Sequence, residues 1–161
     1  MNLKYYEPLD HFERMYGFVD VSDKVVLDIG ADWGSTPHFF LIKGAKRVIG
    51  VDGSKWYVEK MYNYFKDDYR VLPLYMMIDN YRQLQYLLEI YRPDVVKMDC
   101  EGCETYLIET PSLDVCPEYV IEVHSDKIRQ SLTKKFDDVG YQLITKLDLT
   151  EELFIIHWRK P

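Results

Sequence analysis

Two short apolar runs carry ionisable residues that a buried strand has no structural need for. Val95-Val96-Lys97-Met98-Asp99 and Tyr119-Val120-Ile121-Glu122-Val123-His124 both read as strands. Side chains alternate across a strand, so Lys97 and Asp99 share a face of their strand, and Glu122 and His124 share a face of theirs. Burying such groups is costly unless they are paired or used. His124 titrates near neutrality and is the natural base for taking a proton from a hydroxyl, with Asp99 as second choice. Lys97 would orient Asp99 or Glu122, or pair with Glu122 across the strands as a purely structural ion pair. Asp99, Glu101 and Glu122 could instead gather a hard divalent cation that acidifies a hydroxyl. Carboxylates also serve to orient lysine and histidine, and no metal is assigned.

A second constellation lies upstream. Val25-Val26-Leu27-Asp28-Ile29 runs into Gly30-Ala31-Asp32-Trp33-Gly34. Glycines let the backbone approach a ligand and adopt positive φ. A dinucleotide fingerprint would need glycine where Asp32 and Ser35 stand, and a Walker loop would need a following Gly-Lys-Ser/Thr. Neither is present. The spacing matches D-x-G-x-x-x-G, which cradles the amino-acid end of S-adenosylmethionine in class I methyltransferases. Asp28, Gly30, Ala31, Asp32 and Gly34 are therefore the candidate cofactor residues of this turn. Val48-Ile49-Gly50-Val51-Asp52 then closes on an acid whose carboxylate can accept from both ribose hydroxyls, with Gly53 beside it and Ser54 left to cap the next helix. Asp79 stands where an adenine amino group could donate to it, or where it would cap a helix beginning near Asn80. Thr36 is expected to cap the helix after the glycine turn, with Pro37 in its first position.

Lys97-Met98-Asp99-Cys100-Glu101-Gly102-Cys103-Glu104 resembles the K-x-D-x-E-G-x-E motif of the FkbM-type methyltransferases. Ile121-Glu122-Val123-His124 is similar to that family's I-E-x-H strand, and Asp28-Ile29-Gly30-Ala31-Asp32-Trp33-Gly34 fits its cofactor loop. The resemblance implies an S-adenosylmethionine-dependent enzyme that methylates hydroxyl groups of small molecules or sugars. With only about 20 residues before the first strand, the chain is expected to be close to a minimal core, without a substantial substrate cap. A noncatalytic S-adenosylmethionine-binding module that acts through a protein partner is the rival reading. Lys97, Asp99, Glu122 and His124 weigh against it, since binding alone would not need them.

The elements that must position these residues can be placed from periodicity. Runs of β-branched and apolar residues at 25–29, 47–51, 71–75, 94–98, 119–124, 141–145 and 153–158 predict strands. Helical stripes fall between most of them: Tyr57, Val58, Met61, Tyr62, Phe65; then Leu84, Leu87, Leu88, Tyr91; then Ile128, Leu132, Phe136, Val139, stopped by Gly140. Such alternation predicts an α/β Rossmann-like three-layer sandwich with a mainly parallel sheet. Pro73 lacks a ladder donor and sends its strand to an edge. The short link 146–152 forbids a crossover, so the last strand is antiparallel. The strand order 3-2-1-4-5-7-6 satisfies these constraints, and it puts the ligand crevice between the first and fourth strands.

The 161 residues suit a single domain, a lead segment 1–22 before a core 23–161. No apolar run approaches the ~20 residues of a membrane helix, and no signal-peptide pattern opens the chain, so the cytoplasm is expected. The net charge of −7 disfavours nonspecific attachment to nucleic acid. Lys127, Arg129, Lys134 and Lys135 read as a solvated helix face. The three cysteines, Cys100, Cys103 and Cys116, argue against a disulfide framework. His38 is expected to pack on the first helix of the core, and His11 and His157 to lie at or near the surface. The expected partner is a small-molecule or sugar substrate, and a homodimer could complete a shallow groove with some of the fourteen tyrosines.

Overall fold

The computed structural model describes residues 9–161; residues 1–8 of the expected lead segment lie outside them. The strands, numbered in chain order, form a seven-stranded sheet in the order 3-2-1-4-5-7-6. This is the expected order. Residues up to Met77 and residues from Ile78 onward gather into two compact units.

The first unit contains α1 (Leu9–Tyr16), β1 (Val25–Ile29), α2 (Ser35–Ile42), β2 (Arg47–Asp52), α3 (Lys55–Phe65) and β3 (Val71–Tyr75). β1 and β2 pair in parallel with Val26 opposite Val48 and Ile29 opposite Val51. β2 pairs in parallel with β3, Gly50 opposite Pro73, and β3 is the edge strand that the proline required. Val26, Leu27, Val48, Ile49, Phe40 and Met61 are buried, as befits strands covered on both faces. In α3, Met61 and Phe65 face inward but Tyr62 is 62% exposed. Adjacent helical residues diverge by about 100°, so Met61 and Tyr62 cannot both point into the core. The start of α2 also departs from expectation. Gly34, at φ 106, occupies the cap position, and Pro37 is the third helical residue. Thr36 does not cap. Its hydroxyl donates to the buried carboxylate of Asp28, a partner that solvent cannot replace.

The second unit contains α4 (Tyr81–Tyr91), β4 (Val95–Met98), β5 (Glu118–Val123), α5 (Asp126–Val139), β6 (Gln142–Asp148) and β7 (Phe154–Arg159), with a short 3-10 turn at Cys103–Leu107. β4 and β5 are parallel, Lys97 opposite Val120 and Met98 opposite Ile121. β7 runs antiparallel to both β5 and β6, and the amides of Leu149 and Thr150 close the short return on the carbonyl of Leu153. Ser125 caps α5 by accepting from the Ile128 amide, and Gly140 ends it at φ 89. The core packs Phe136 flat on Trp158 at 4.4 Å, edge-on to Tyr119 and Tyr141. His157 is not a surface residue. It is 2% exposed and bonds Glu118 at 2.7 Å, because β7 has a strand on each side and its side chains are covered. Among the described residues no helix is long and apolar enough to cross a membrane.

Candidate active site

In the first unit the glycine turn is tied to the end of β2. The amides of Gly30 and Ala31 both donate to the Val51 carbonyl, at 2.9 and 3.1 Å. Gly30, Asp32 and Gly34 have φ of 78, 50 and 106°, so the chain reverses through left-handed backbone. Gly34 has a second reason to be glycine: a Cβ there would stand 2.7 Å from the Phe65 ring. Asp28 is fully buried beneath the turn. Asp52, at the carboxyl end of β2, clamps two turns at once. Its Oδ2 accepts from the Asp32 amide at 2.9 Å and its Oδ1 from the Ser54 amide at 2.7 Å. A carboxylate offers about four acceptor sites, so each oxygen keeps capacity for a hydroxyl. Gly53 lies between the clamp and α3, which Ser54 caps through the Tyr57 amide.

Next to the clamp stands an aromatic group that sequence reasoning misses. Trp33, within the turn, lies 6.1 Å from Trp56 and 6.2 Å from Tyr57, ring to ring, and Lys60 sits over Trp56 at 5.3 Å. The available signal is the placing of both tryptophans beside the residues that Asp52 holds. Elsewhere in this unit an open pocket of about 570 Å³ is lined by α2, α3 and the turn that follows α3, including His38, Tyr64 and Arg70. None of the candidate cofactor residues reaches it.

In the second unit, Asp79 is exposed and does not cap α4. Asn80 does, accepting from the amides of Arg82 and Gln83, while Asp79 takes the Asn80 side-chain amide at 2.6 Å. Lys97 is fully buried in β4, with Nζ 4.0 Å from Asp99. Beyond β4 the chain turns through Glu101 (φ 54) and Gly102 (φ 115), and here a disulfide joins Cys100 to Cys103. The expectation of unbridged cysteines is thus corrected: the tight turn brings the two thiols of the CxxC together, and only Cys116 is free, buried near Glu118.

Glu104 organises the histidine at the end of β5, a role that its place in the octamer does not reveal. It is fully buried. Its Oε2 accepts from the Gly102 amide at 2.8 Å, and its Oε1 from the His124 amide at 3.2 Å. The same Oε1 lies 3.0 Å from the ring Nδ1 of His124. That contact places the proton of the neutral ring on Nδ1 and leaves Nε2 with its lone pair. Nε2 lies 3.4 Å from Glu101 and 3.8 Å from Glu122. Burial pulls the His124 pKa down, but the Glu104 hydrogen bond and the charges of Glu104, Glu101 and Glu122 outweigh it and hold it above the usual value. Burial and then the charge of Asp99 push Glu122 up to about 7, against the lowering pull of His124 and Lys97. Asp99, Glu101 and His124 each present a ligand atom within 4.8 Å of the others, a donor set that differs from the anticipated one in having His124 in place of Glu122. Lys97, Asp99, Glu122 and His124 thus stand at one end of the β4–β5 pair.

No protein-family model matches the chain. It is 32% identical to the uncharacterized protein 158B of Sulfolobus islandicus rod-shaped virus 1, over 70% of this chain and 68% of that protein. Among solved structures it is similar to a provisionally named RNA methyltransferase of Pyrococcus horikoshii, with TM-score 0.69, 17% identity, 97% of this chain and 87% of that one. It is also similar to fibrillarin of Aeropyrum pernix, which was solved with natively bound S-adenosyl-L-methionine (TM-score 0.65, 13% identity, 87% and 68% coverage). At these identities the structural likeness is one of fold.

Proposed function

The chain belongs to the family of protein 158B of Sulfolobus islandicus rod-shaped virus 1, and for this member of it we propose an S-adenosylmethionine-dependent methyltransferase that acts on a hydroxyl of a small molecule or sugar. The reading treats residues 1–161 as one cytoplasmic enzyme domain. The observation that carries it is the Asp52 clamp: one carboxylate fixes both the glycine turn and the next turn, and retains acceptor capacity for ribose hydroxyls. The turn amides and Asp32 would hold the amino-acid end of the cofactor, and Asp79 its adenine. The fold supports this, since open α/β sheets bind ligands beyond the carboxyl ends of their strands. The likeness of residues 97–104 to the FkbM octamer supports a hydroxyl acceptor.

When bound, S-adenosylmethionine supplies an electrophilic methyl group on a sulfonium. The protein's part is positioning and proton removal. His124 takes the acceptor's hydroxyl proton at Nε2, while Glu104 fixes the ring's orientation and steadies the imidazolium that forms. Asp99 and Glu122 place negative charge near the reacting centre, and Lys97 orients Asp99. This division of labour favours an enzyme over a binding module, because a passive adenosyl-binding site has no use for an oriented, basic histidine.

Calorimetry with S-adenosylhomocysteine, followed by methyl transfer to a panel of polyhydroxylated acceptors, tests the reading. Asp52→Ala should weaken binding by about 2 kcal/mol or more, the loss of charge-assisted hydrogen bonds. His124→Ala should leave binding intact and abolish most turnover. If wild type binds no S-adenosylhomocysteine, or if Asp52→Ala, Gly30→Val and His124→Ala all turn over normally, the site is wrongly assigned. Binding without turnover in any acceptor class would favour the partner-binding module.

A further inference from the structure

We infer that Cys100 and Cys103 form a reversible redox modification site, whose disulfide form holds Glu104 on His124 and whose dithiol form releases it. For its consequence in catalysis the inference rests on the reading of His124 as proton acceptor. Its structural part stands on the turn alone.

The bridge spans two residues, Glu101 and Gly102, that both lie in left-handed backbone, at φ 54 and 115. Glycine adopts that conformation freely. Glutamate does so at a cost and keeps it only where its surroundings hold it there. The disulfide is the covalent part of those surroundings. The Gly102 amide in turn anchors Oε2 of Glu104, the residue after Cys103, and the other oxygen of that carboxylate takes both the amide and the ring of His124. A continuous chain of bonds thus runs from the disulfide through Gly102 and Glu104 to the imidazole. Cys103 is 8% exposed and Cys100 more open, so an external thiol meets Cys100 first.

The chemistry is thiol–disulfide exchange with a dithiol reductant. A thiolate of the reductant attacks the Cys100 sulfur, the S–S bond breaks, and Cys103 leaves as a thiolate that takes up a proton. The second thiol of the reductant then closes its own disulfide and frees Cys100, so two electrons and two protons pass to the protein. Asp99 and Glu101 flank the attacked sulfur and disfavour an acidic reductant. With the bridge open, Glu101 and Gly102 relax toward ordinary backbone, the Gly102 amide leaves Glu104, and the carboxylate loses the support that aims it at His124.

Amide hydrogen exchange on the intact chain, oxidised and then reduced with dithiothreitol, tests this directly. Reduction should speed exchange at Gly102 and His124 by about tenfold or more while Ile121, inside β5, is unchanged. Thiol labelling of the native protein should rise from none to two, Cys116 staying buried. The methyl-transfer kcat should fall by about tenfold with the cofactor affinity unaltered. Cys100→Ser should match the reduced wild type in exchange, and its thermal unfolding establishes that it is folded. Equal exchange at Gly102 and His124 in both redox forms would overturn the inference, and so would full labelling of Cys100 and Cys103 under oxidising conditions. If exchange responds as expected but neither form transfers methyl groups, the switch stands and the methyltransferase reading fails.

Discussion

At the scale of single residues, His124 is held between burial, which disfavours its charged form, and three carboxylates that favour it, and the carboxylates win. Its raised pKa has two signed consequences. The favourable interaction is fully present below the unfolded value of about 6.5 and is lost as pH rises through the folded one. The proposed reaction requires a neutral base, so kcat/KM should climb with pH through that same raised value. Glu104→Gln removes the largest raising influence, so the rising limb should move to lower pH and kcat should drop by about 10- to 100-fold; a pH–rate profile beside NMR titration of the ring checks both. Glu122 behaves in the same sense although it is an acid. Burial and Asp99 raise it to about 7, so the contribution of its protonated form is complete below about 4.5 and is lost as pH rises through 7. Glu122→Gln cannot ionise. Its stability relative to wild type should therefore grow by about 1–2 kcal/mol from roughly pH 4 to pH 8, after allowance for solvent screening, in paired denaturant titrations. The four ionisable strand residues were legible because apolar strands make charges conspicuous. Glu104 was not, because its burial arises from a turn whose path depends on Glu101 and Gly102 adopting positive φ, and on a disulfide that cysteine count alone argued against.

Among the elements, the strands were the most legible part of the chain, since covered strands must be apolar and the one proline among them had to lie at an edge. The helix starts were less so. Thr36 and Pro37 have the residue types of a cap and a first helical position, yet α2 begins earlier, at Ser35. A local capping preference worth about 1 kcal/mol yields to the need to satisfy the buried Asp28. The same logic makes Gly34 a packing residue as well as a turn residue. At φ 106, with Phe65 2.7 Å and Met61 3.1 Å from a notional Cβ, Gly34→Ala must both strain the backbone and push α3 off the turn. It should cost about 2–3 kcal/mol, seen as a Tm lower by about 5–10 °C. Gly140 at the end of α5 is the matched control. Its φ is 89 but a Cβ would meet nothing within 4 Å, so Gly140→Ala should cost only the ~1 kcal/mol of the left-handed backbone. Equal losses in differential scanning calorimetry would show that contact with α3 does not matter at Gly34.

For the molecule as a whole, the sheet order was legible from a handful of topological constraints, whereas the acceptor in the proposed methyl transfer was not, because it depends on surface that no periodicity describes. Charge is the one whole-chain property that bears on it. The chain carries a net charge of −7. Phosphate contacts need lysines and arginines free to release counterions. The basic residues of α5 share their helix with Asp126, Asp137 and Asp138, and Arg129 is already paired with Asp126. A single-stranded RNA oligonucleotide should therefore bind more weakly than about 10⁻⁴ M near 0.15 M salt, beyond even ordinary nonspecific affinity. Polyhydroxylated small molecules should be turned over under the same conditions. Fluorescence anisotropy across a salt series distinguishes the two. Micromolar RNA binding with a log–log slope of several phosphates would mean that local surface overrides the global charge, and the acceptor would then be sought in RNA.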